Sequence, residues 1–327
     1  MAMRGKPKTN TKKIGDRDLS PATLMMGLGY DPVLSEGSLK PPIFLTSTFA
    51  FESAAAGKRF FEHITGKREG PADGLVYSRF NGPNQEILED RLAVWDGADD
   101  SLVFSSGMSA IATLLLALVG QNDVIVHSGP LYAATETLIA RILSRFGVSF
   151  LDFPAGATRE EIDDILARAQ TLADEKGGKV ALVYLESPAN PTNALVDVEA
   201  VRAARDAAFP GEQKPPIAID NTFLGPLWQK PIRQGAELVV YSLTKYAGGH
   251  SDLVAGGVDA GEQRRQPHPD PHQPDREASD IPALHDHYQR EKRHGDTQCT
   301  DRQVVGVDDR DDRERRNVVD DHEREQE

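Results

Sequence analysis

Short apolar runs alternate with amphipathic stretches from residue 101 to residue 240, and this alternation restricts the fold more than any other feature of the chain. Residues 101–104, 123–127, 148–153, 180–185, 217–219 and 238–241 read as strands, because they are short, apolar and bounded by polar or turn residues. Residues 110–119, 131–146, 159–174 and 198–209 read as helices. In the third of these, Ile162, Ile165, Leu166, Ala169 and Leu172 share one face. Strand and helix in turn predict an α/β fold with a mostly parallel sheet covered by helices. Open sheets of this kind bind ligands beyond the carboxyl ends of their strands, so the residues that follow each strand are the candidates for function.

Several strand ends carry chemistry. Residues 101–104 run into Ser105-Ser106-Gly107-Met108-Ser109 and then an apolar helix. That turn aims backbone N–H groups and the positive helix end at an anion, or it is a tight turn with no ligand. It lacks the glycines and lysine of a Walker A loop and the spacing of G-x-G-x-x-G or of a hydrolase elbow. Tyr132 opens the helix after residues 123–127, where it can lie flat over an aromatic ligand or simply pack. Residues 180–185 end in Glu186-Ser187-Pro188-Ala189-Asn190-Pro191-Thr192, and residues 217–219 end in Asp220. A carboxylate at that place can hold a cationic ring nitrogen or act as a cap. The last strand leads into YSLTKYAGGHSD, where Lys245 is flanked by Ser242 and Thr244. An amine beside two hydroxyls suits attack on a carbonyl together with phosphate binding, and pyridoxal 5′-phosphate carries both groups. The plainer reading of Lys245 is a surface lysine at a strand end.

The segment before the sheet is less regular. Residues 1–20 read as a polar arm bearing Arg4, Lys6, Lys8, Lys12, Lys13 and Arg17, with no apolar run of a secretory signal. Ser20-Pro21 is a helix start. Pro41-Pro42 precedes IFLTSTFAF, which is expected to be extended and to reach toward another subunit. Phe60, Phe61 and Ile64 suggest a short helix, and residues 85–95 an amphipathic one. Between them Arg79, beside Tyr77, suits a bidentate clamp on a phosphate, or is a solvated loop residue.

Six motifs, YSRFNGPN, SSGMSAI, GPLYAATETL, YLESPANPT, AIDNTF and YSLTKYAGGHSD, occur in the order seen in the cystathionine γ-synthase family. The chain therefore resembles the Cys/Met-metabolism group of fold-type I pyridoxal-phosphate enzymes from about Pro42 to Val258, more weakly back to Ser20. The resemblance implies that Lys245 forms the Schiff base and shuttles protons, and that Asp220 pairs with the pyridinium nitrogen. It implies that Tyr132 stacks on the ring, and that Gly107, Met108, Ser242 and Thr244 bind the phosphate. Asn190 would lie near the phenolic oxygen, and Tyr77 and Arg79 would reach into the phosphate site of a neighbouring subunit. A homodimer or homotetramer with shared sites follows, acting on a small-molecule amino acid such as O-acyl-homoserine or cystathionine. Methionine γ-lyase and O-acylhomoserine sulfhydrylase chemistry are the alternative reactions, and a non-catalytic or pseudogene remnant that keeps the cofactor pocket is the alternative class. Ala134 stands where well-known methionine γ-lyases place a cysteine, which argues against that activity.

These readings divide the chain into an N-terminal arm (1–60), a pyridoxal-phosphate domain (61–258) and a tail (259–327). The tail holds 12 Lys+Arg against 20 Asp+Glu, and only 12 of its 69 residues are apolar. Such a composition does not support a core. The family's substrate-binding small domain is not recognisable in it, so the chain as written is expected to be impaired. A shifted reading frame or an artificial C-terminus fits the change, and a natural disordered tail with a binding role is the alternative. His268, His272, His285 and His287 lack the flanking structure of a metal site, and none is expected. The net charge of −14 argues against general nucleic-acid binding. No apolar run approaches membrane-spanning length. The single cysteine, Cys299, fits a reducing cytoplasm.

Overall fold

The computed structural model describes residues 12–69, 74–211 and 213–261. At its centre is a seven-stranded sheet. Its strands are β3 (Asp100–Phe104), β4 (Val124–Gly129), β5 (Ser149–Pro154), β6 (Val180–Glu186), β7 (Ile217–Asp220), β8 (Leu238–Tyr241) and β9 (Gly256–Ala260). They lie side by side in the order β3-β9-β8-β7-β6-β4-β5. All six strands expected from the sequence are present. The pairs β5–β4, β4–β6, β6–β7 and β7–β8 are parallel. A two-residue ribbon, β1 (Lys13–Ile14) with β2 (Arg17–Asp18), lies outside this sheet.

The exception is β9, which is antiparallel to both neighbours. Residues 242–255 contain no helix to make a crossover, so the chain turns back on itself after β8. This strand also runs two residues past the expected boundary at Val258, taking Asp259 and Ala260 into the sheet. The rest of the expected tail, with its histidines and Cys299, lies outside the described residues.

Burial explains the element pattern. Every residue of β6, β7 and β8 is buried, as continuous apolar runs in the middle of a covered sheet require. Val183, Leu185, Ile217, Ile219 and Val239 pack in one cluster with α6 (Arg159–Lys176) and α7 (Val198–Ala208), through Leu166, Ala169, Val201 and Ala204. Thr158 and Glu161 form a capping box at the start of α6, and Gly177 ends it at φ 68°. Ahead of the sheet, α1 (Pro21–Leu24) starts at Ser20, whose hydroxyl accepts from the Thr23 amide. Then come α2 (Ala54–Ile64) and α3 (Pro83–Asp96), both longer than the sequence suggested. The expected helix 131–146 winds as α over Ala133–Thr137 (α5), as π over Leu138–Ile142 and as 3-10 over Leu143–Phe146.

One stretch with strand composition stays outside the sheet. The stretch 43–51 forms no strand, only a single bridge between Thr48 and Tyr77. Ile43 and Leu45 are 79 % and 94 % exposed. No helix among the described residues is long and apolar enough to cross a membrane.

Asp259 is the odd residue of the sheet. It is fully buried in β9 and sits beside Asp96, at the end of α3, which is also fully buried. Burial and the neighbouring Asp96 push the Asp259 carboxyl well above its ordinary range. Asp96 is also raised by burial, opposed by a 2.6 Å hydrogen bond from the Tyr241 hydroxyl and by Lys230. A carboxyl whose pKa is raised on folding supports the fold below its unfolded value, about 4, and that support is lost as pH rises through the folded value. Asp259→Val should therefore stabilise the protein by about 1–3 kcal/mol at neutral pH, and by less at pH 4. Thermal melts of both proteins at pH 4, 6 and 8 check this. A gap between their midpoints that shrinks as pH rises would contradict it.

Candidate active site

A cavity of about 180 Å³ opens where β6, β7 and β8 end and α4 (Gly107–Leu118) begins. Glu186 is the last residue of β6, Asp220 the last of β7, and Ser242 follows the last of β8. The register pairs Glu186 with Asp220 and Asp220 with Val240, so parallel strands bring the three ends level. Of the residues expected to form the site, Gly107, Met108, Tyr132, Asn190, Asp220, Ser242, Thr244 and Lys245 all line this cavity. Tyr77 and Arg79 do not line it. The Arg79 guanidinium instead lies 5.2 Å from the Tyr77 ring and 5.1 Å from that of Phe80.

Each side chain is placed by local chemistry. Lys245 sits on a double turn after β8. Its amide donates to the Ser242 carbonyl at 3.1 Å, and its carbonyl accepts from the Gly249 amide at 2.8 Å. Gly249 has φ 78°, a conformation that costs glycine nothing. The turn leaves Lys245 exposed on the cavity wall.

Asp220 is buried to 8 % exposure, and burial raises its carboxyl above the ordinary range despite two hydrogen bonds from Thr222. The Thr222 hydroxyl donates to Asp220 Oδ1 at 2.5 Å and accepts from the Ser242 amide at 2.8 Å. Thr222 thus ties the carboxylate to the lysine-bearing turn.

The start of α4 is built for an anion. Ser106 and Ser109 form a capping box that satisfies the Ser109 amide, and the Ala110 amide bonds to the Ser106 carbonyl. Among the described residues the Gly107 and Met108 amides have no hydrogen-bond partner, as expected for the first positions of a helix. A Cβ on Gly107 would come within 2.7 Å of Ser242 Cβ, so only glycine lets the helix approach the strand end this closely. Ser242 Oγ likewise makes no hydrogen bond among the described residues, whereas Thr244 Oγ1 donates to the Ala255 carbonyl and accepts from its amide. Here Thr244 braces the turn against the approach to β9, and its hydroxyl proton is already engaged.

Sequence reasoning assigned no role to Thr222, or to Glu186. The Glu186 carboxylate accepts from the Tyr132 amide at 2.6 Å and from the Asn190 amide at 2.9 Å. Burial, then the charge of Asp220, raises its pKa to about 7. The available signal was an acidic residue closing a fully apolar strand, a position that only a paired carboxylate occupies in a buried sheet.

The donor set fits pyridoxal 5′-phosphate. The residues lining the cavity include Gly107 and Met108, whose first-turn amides are free, the Ser242 hydroxyl, the buried Asp220 carboxylate and, among the described residues, one amine, that of Lys245. An α/β sheet with this constellation at its strand ends fits the class of pyridoxal-phosphate enzymes. The family profile described as Cys/Met metabolism PLP-dependent enzyme matches residues 22–274, wider at both ends than the motifs alone. The chain belongs to that family.

Its relatives include the L-methionine gamma-lyase of Pseudomonas deceptionensis, 33 % identical over 237 residues, covering 72 % of this chain and 54 % of that protein. The L-methionine gamma-lyase of Porphyromonas gingivalis is 37 % identical over 224 residues, covering 68 % and 50 %. The cystathionine beta-lyase MetC of Staphylococcus haemolyticus is 32 % identical over 232 residues, covering 71 % and 50 %. Among solved structures, metB from Corynebacterium glutamicum superposes with a TM-score of 0.61 at 29 % identity, covering 75 % of this chain and 56 % of that one. The chain spans about half the length of the curated relatives it matches.

Proposed function

We propose that this chain forms the cofactor half of a carbon–sulfur lyase that acts on sulfur-containing amino acids such as methionine or cystathionine. The observation that carries the reading is the placement of Lys245 and Asp220 at neighbouring strand ends on one cavity, with the start of α4 beside them. When bound, the cofactor ring supplies an electron sink for negative charge at the substrate Cα. Asp220 would hold a proton on the ring nitrogen, Tyr132 would cover the ring face, and the Gly107 and Met108 amides with Ser242 would hold the phosphate. Lys245 would hold the cofactor and would move the proton at the substrate Cα through its Nζ. Elimination is favoured over replacement because the three curated relatives named above are lyases, although Ala134 stands where well-known methionine γ-lyases place a cysteine. Ala134 is not among the residues lining the cavity. The test is to assay the full chain with methionine, with cystathionine, and with O-acyl-homoserine plus cysteine. Activity in the replacement assay alone would overturn the elimination reading.

A second reading, a cofactor-binding chain with impaired turnover, rests on one observation. Among the described residues lining the cavity there is no arginine to receive a substrate carboxylate by a bidentate bond. Turnover comparable to that of the full-length relatives in the same assays would contradict it.

The proposed oligomer is a dimer, alone or paired into a tetramer, in which Tyr77 and Arg79 complete a partner's phosphate site. Their position off this chain's cavity, and the exposed stretch around Ile43 and Leu45, support that reading. Arg79→Ala should weaken cofactor retention roughly tenfold or more, since a charge-assisted bond is lost. Mixed Arg79→Ala and Lys245→Ala subunits should recover cofactor linkage at the sites that hold both residues. Proven subunit exchange without that recovery would argue against a shared site.

A further inference from the structure

Glu186 is 3 % exposed, yet it uses both carboxylate oxygens on the backbone of other segments. Oε2 takes the Tyr132 amide, before α5, and Oε1 takes the Asn190 amide, in the turn after β6. Its own amide donates to Ser128 Oγ at the end of β4. One side chain therefore joins two cavity-lining segments through main-chain bonds.

We infer that Glu186 is a positioning residue whose ionised carboxylate clamps together the segments that present Tyr132 and Asn190 to the cofactor. The inference rests on the cofactor reading above. Ionised, the carboxylate accepts from both amides. Protonated, one oxygen becomes a hydroxyl, and an O–H cannot accept as well from the amide it faces, so one side of the clamp is released. The charged and titratable groups around it are Asp220 on β7, Glu136 on α5 and Tyr184 on β6, while Lys245 lines the same cavity. Asp220 and Glu136 both oppose ionisation, and the two amides favour it. The balance places the change near neutrality, at about 7. Cofactor binding should therefore tighten as pH rises through that value.

Glu186→Gln fixes a neutral group of the same size, with one acceptor oxygen and an NH2 set against the other amide. The dissociation constant of pyridoxal 5′-phosphate is read from the quenching of tryptophan fluorescence on the full chain, between pH 6 and pH 8.5. Taking the ratio of variant to wild type removes the cofactor's own titration. The variant should bind roughly 10- to 100-fold more weakly at pH 8 and approach the wild type at pH 6. A ratio independent of pH overturns the clamp while leaving the cofactor reading intact. Absence of binding by the wild type overturns both.

Hydrogen exchange of the wild type alone supplies a readout that needs no variant. The Tyr132 and Asn190 amides should gain protection, after correction for intrinsic exchange, as pH rises through about 7. Unchanged protection of both amides overturns the clamp.

Discussion

Lys245→Ala is expected to abolish covalent attachment of pyridoxal 5′-phosphate and to lower any turnover of the chain by roughly 10²–10⁴-fold, the range for loss of a positioned proton-transfer group. The effect is large because among the described residues lining the cavity no other amine can replace it. The substitution is structurally mild. Lys245 is exposed, and the turn is held by backbone bonds from Ser242, Leu243 and Gly249 rather than by the lysine side chain. Binding without covalent linkage should persist, because Asp220, Tyr132 and the start of α4 are untouched. Absorbance spectra of both proteins after reconstitution and gel filtration check this. A variant that keeps the long-wavelength band of the linked cofactor would show that another amine carries it.

Asp220→Asn is expected to produce two effects of opposite sign. Without the carboxylate, a protonated ring nitrogen loses its buried counter-charge. Removing one partner of such a pair costs about 2–5 kcal/mol, or roughly 30- to several-thousand-fold in cofactor affinity. The cofactor-free protein should respond in the other direction. Burial raises the Asp220 carboxyl in the folded state, so ionising it costs stability, and that cost grows as pH rises above the unfolded value near 4. Asparagine keeps the acceptor for Thr222 without the charge, so the free protein should melt at the same temperature or higher at pH 8. Melts with and without cofactor separate the two effects. A variant that is less stable without cofactor and unchanged in affinity would make Asp220 a structural residue.

The parallel part of the sheet was legible in the sequence because its strands are buried on both faces, which leaves unbroken apolar runs such as residues 180–185. The strand β9 was not, because two glycines and Asp259 give it no strand composition, and its place is set by the gap between β3 and β8. Stretch 43–51 has strand composition but makes only the Thr48–Tyr77 bridge among the described residues. Composition records a preference, and a strand also needs a partner.

The site divides in the same way. Lys245, Asp220 and Tyr132 could be picked out because parallel strand ends gather whatever follows them, and those side chains carry distinctive chemistry. Glu186 and Thr222 act through backbone amides and a neighbouring carboxylate, and such roles appear only once the segments meet in space. Thr244 lines the cavity as its neighbourhood suggested, and its bonds to Ala255 are a bracing role that only the fold shows.

The central claim is that Lys245 anchors the cofactor at this cavity. The most direct test is to incubate the full chain with pyridoxal 5′-phosphate, reduce it with borohydride, and map the modified peptide by mass spectrometry. One phosphopyridoxyl group on Lys245, absent from the Lys245→Ala variant, is the predicted result. Labelling of other lysines in preference to Lys245, or no label above that of a denatured control, would contradict the account.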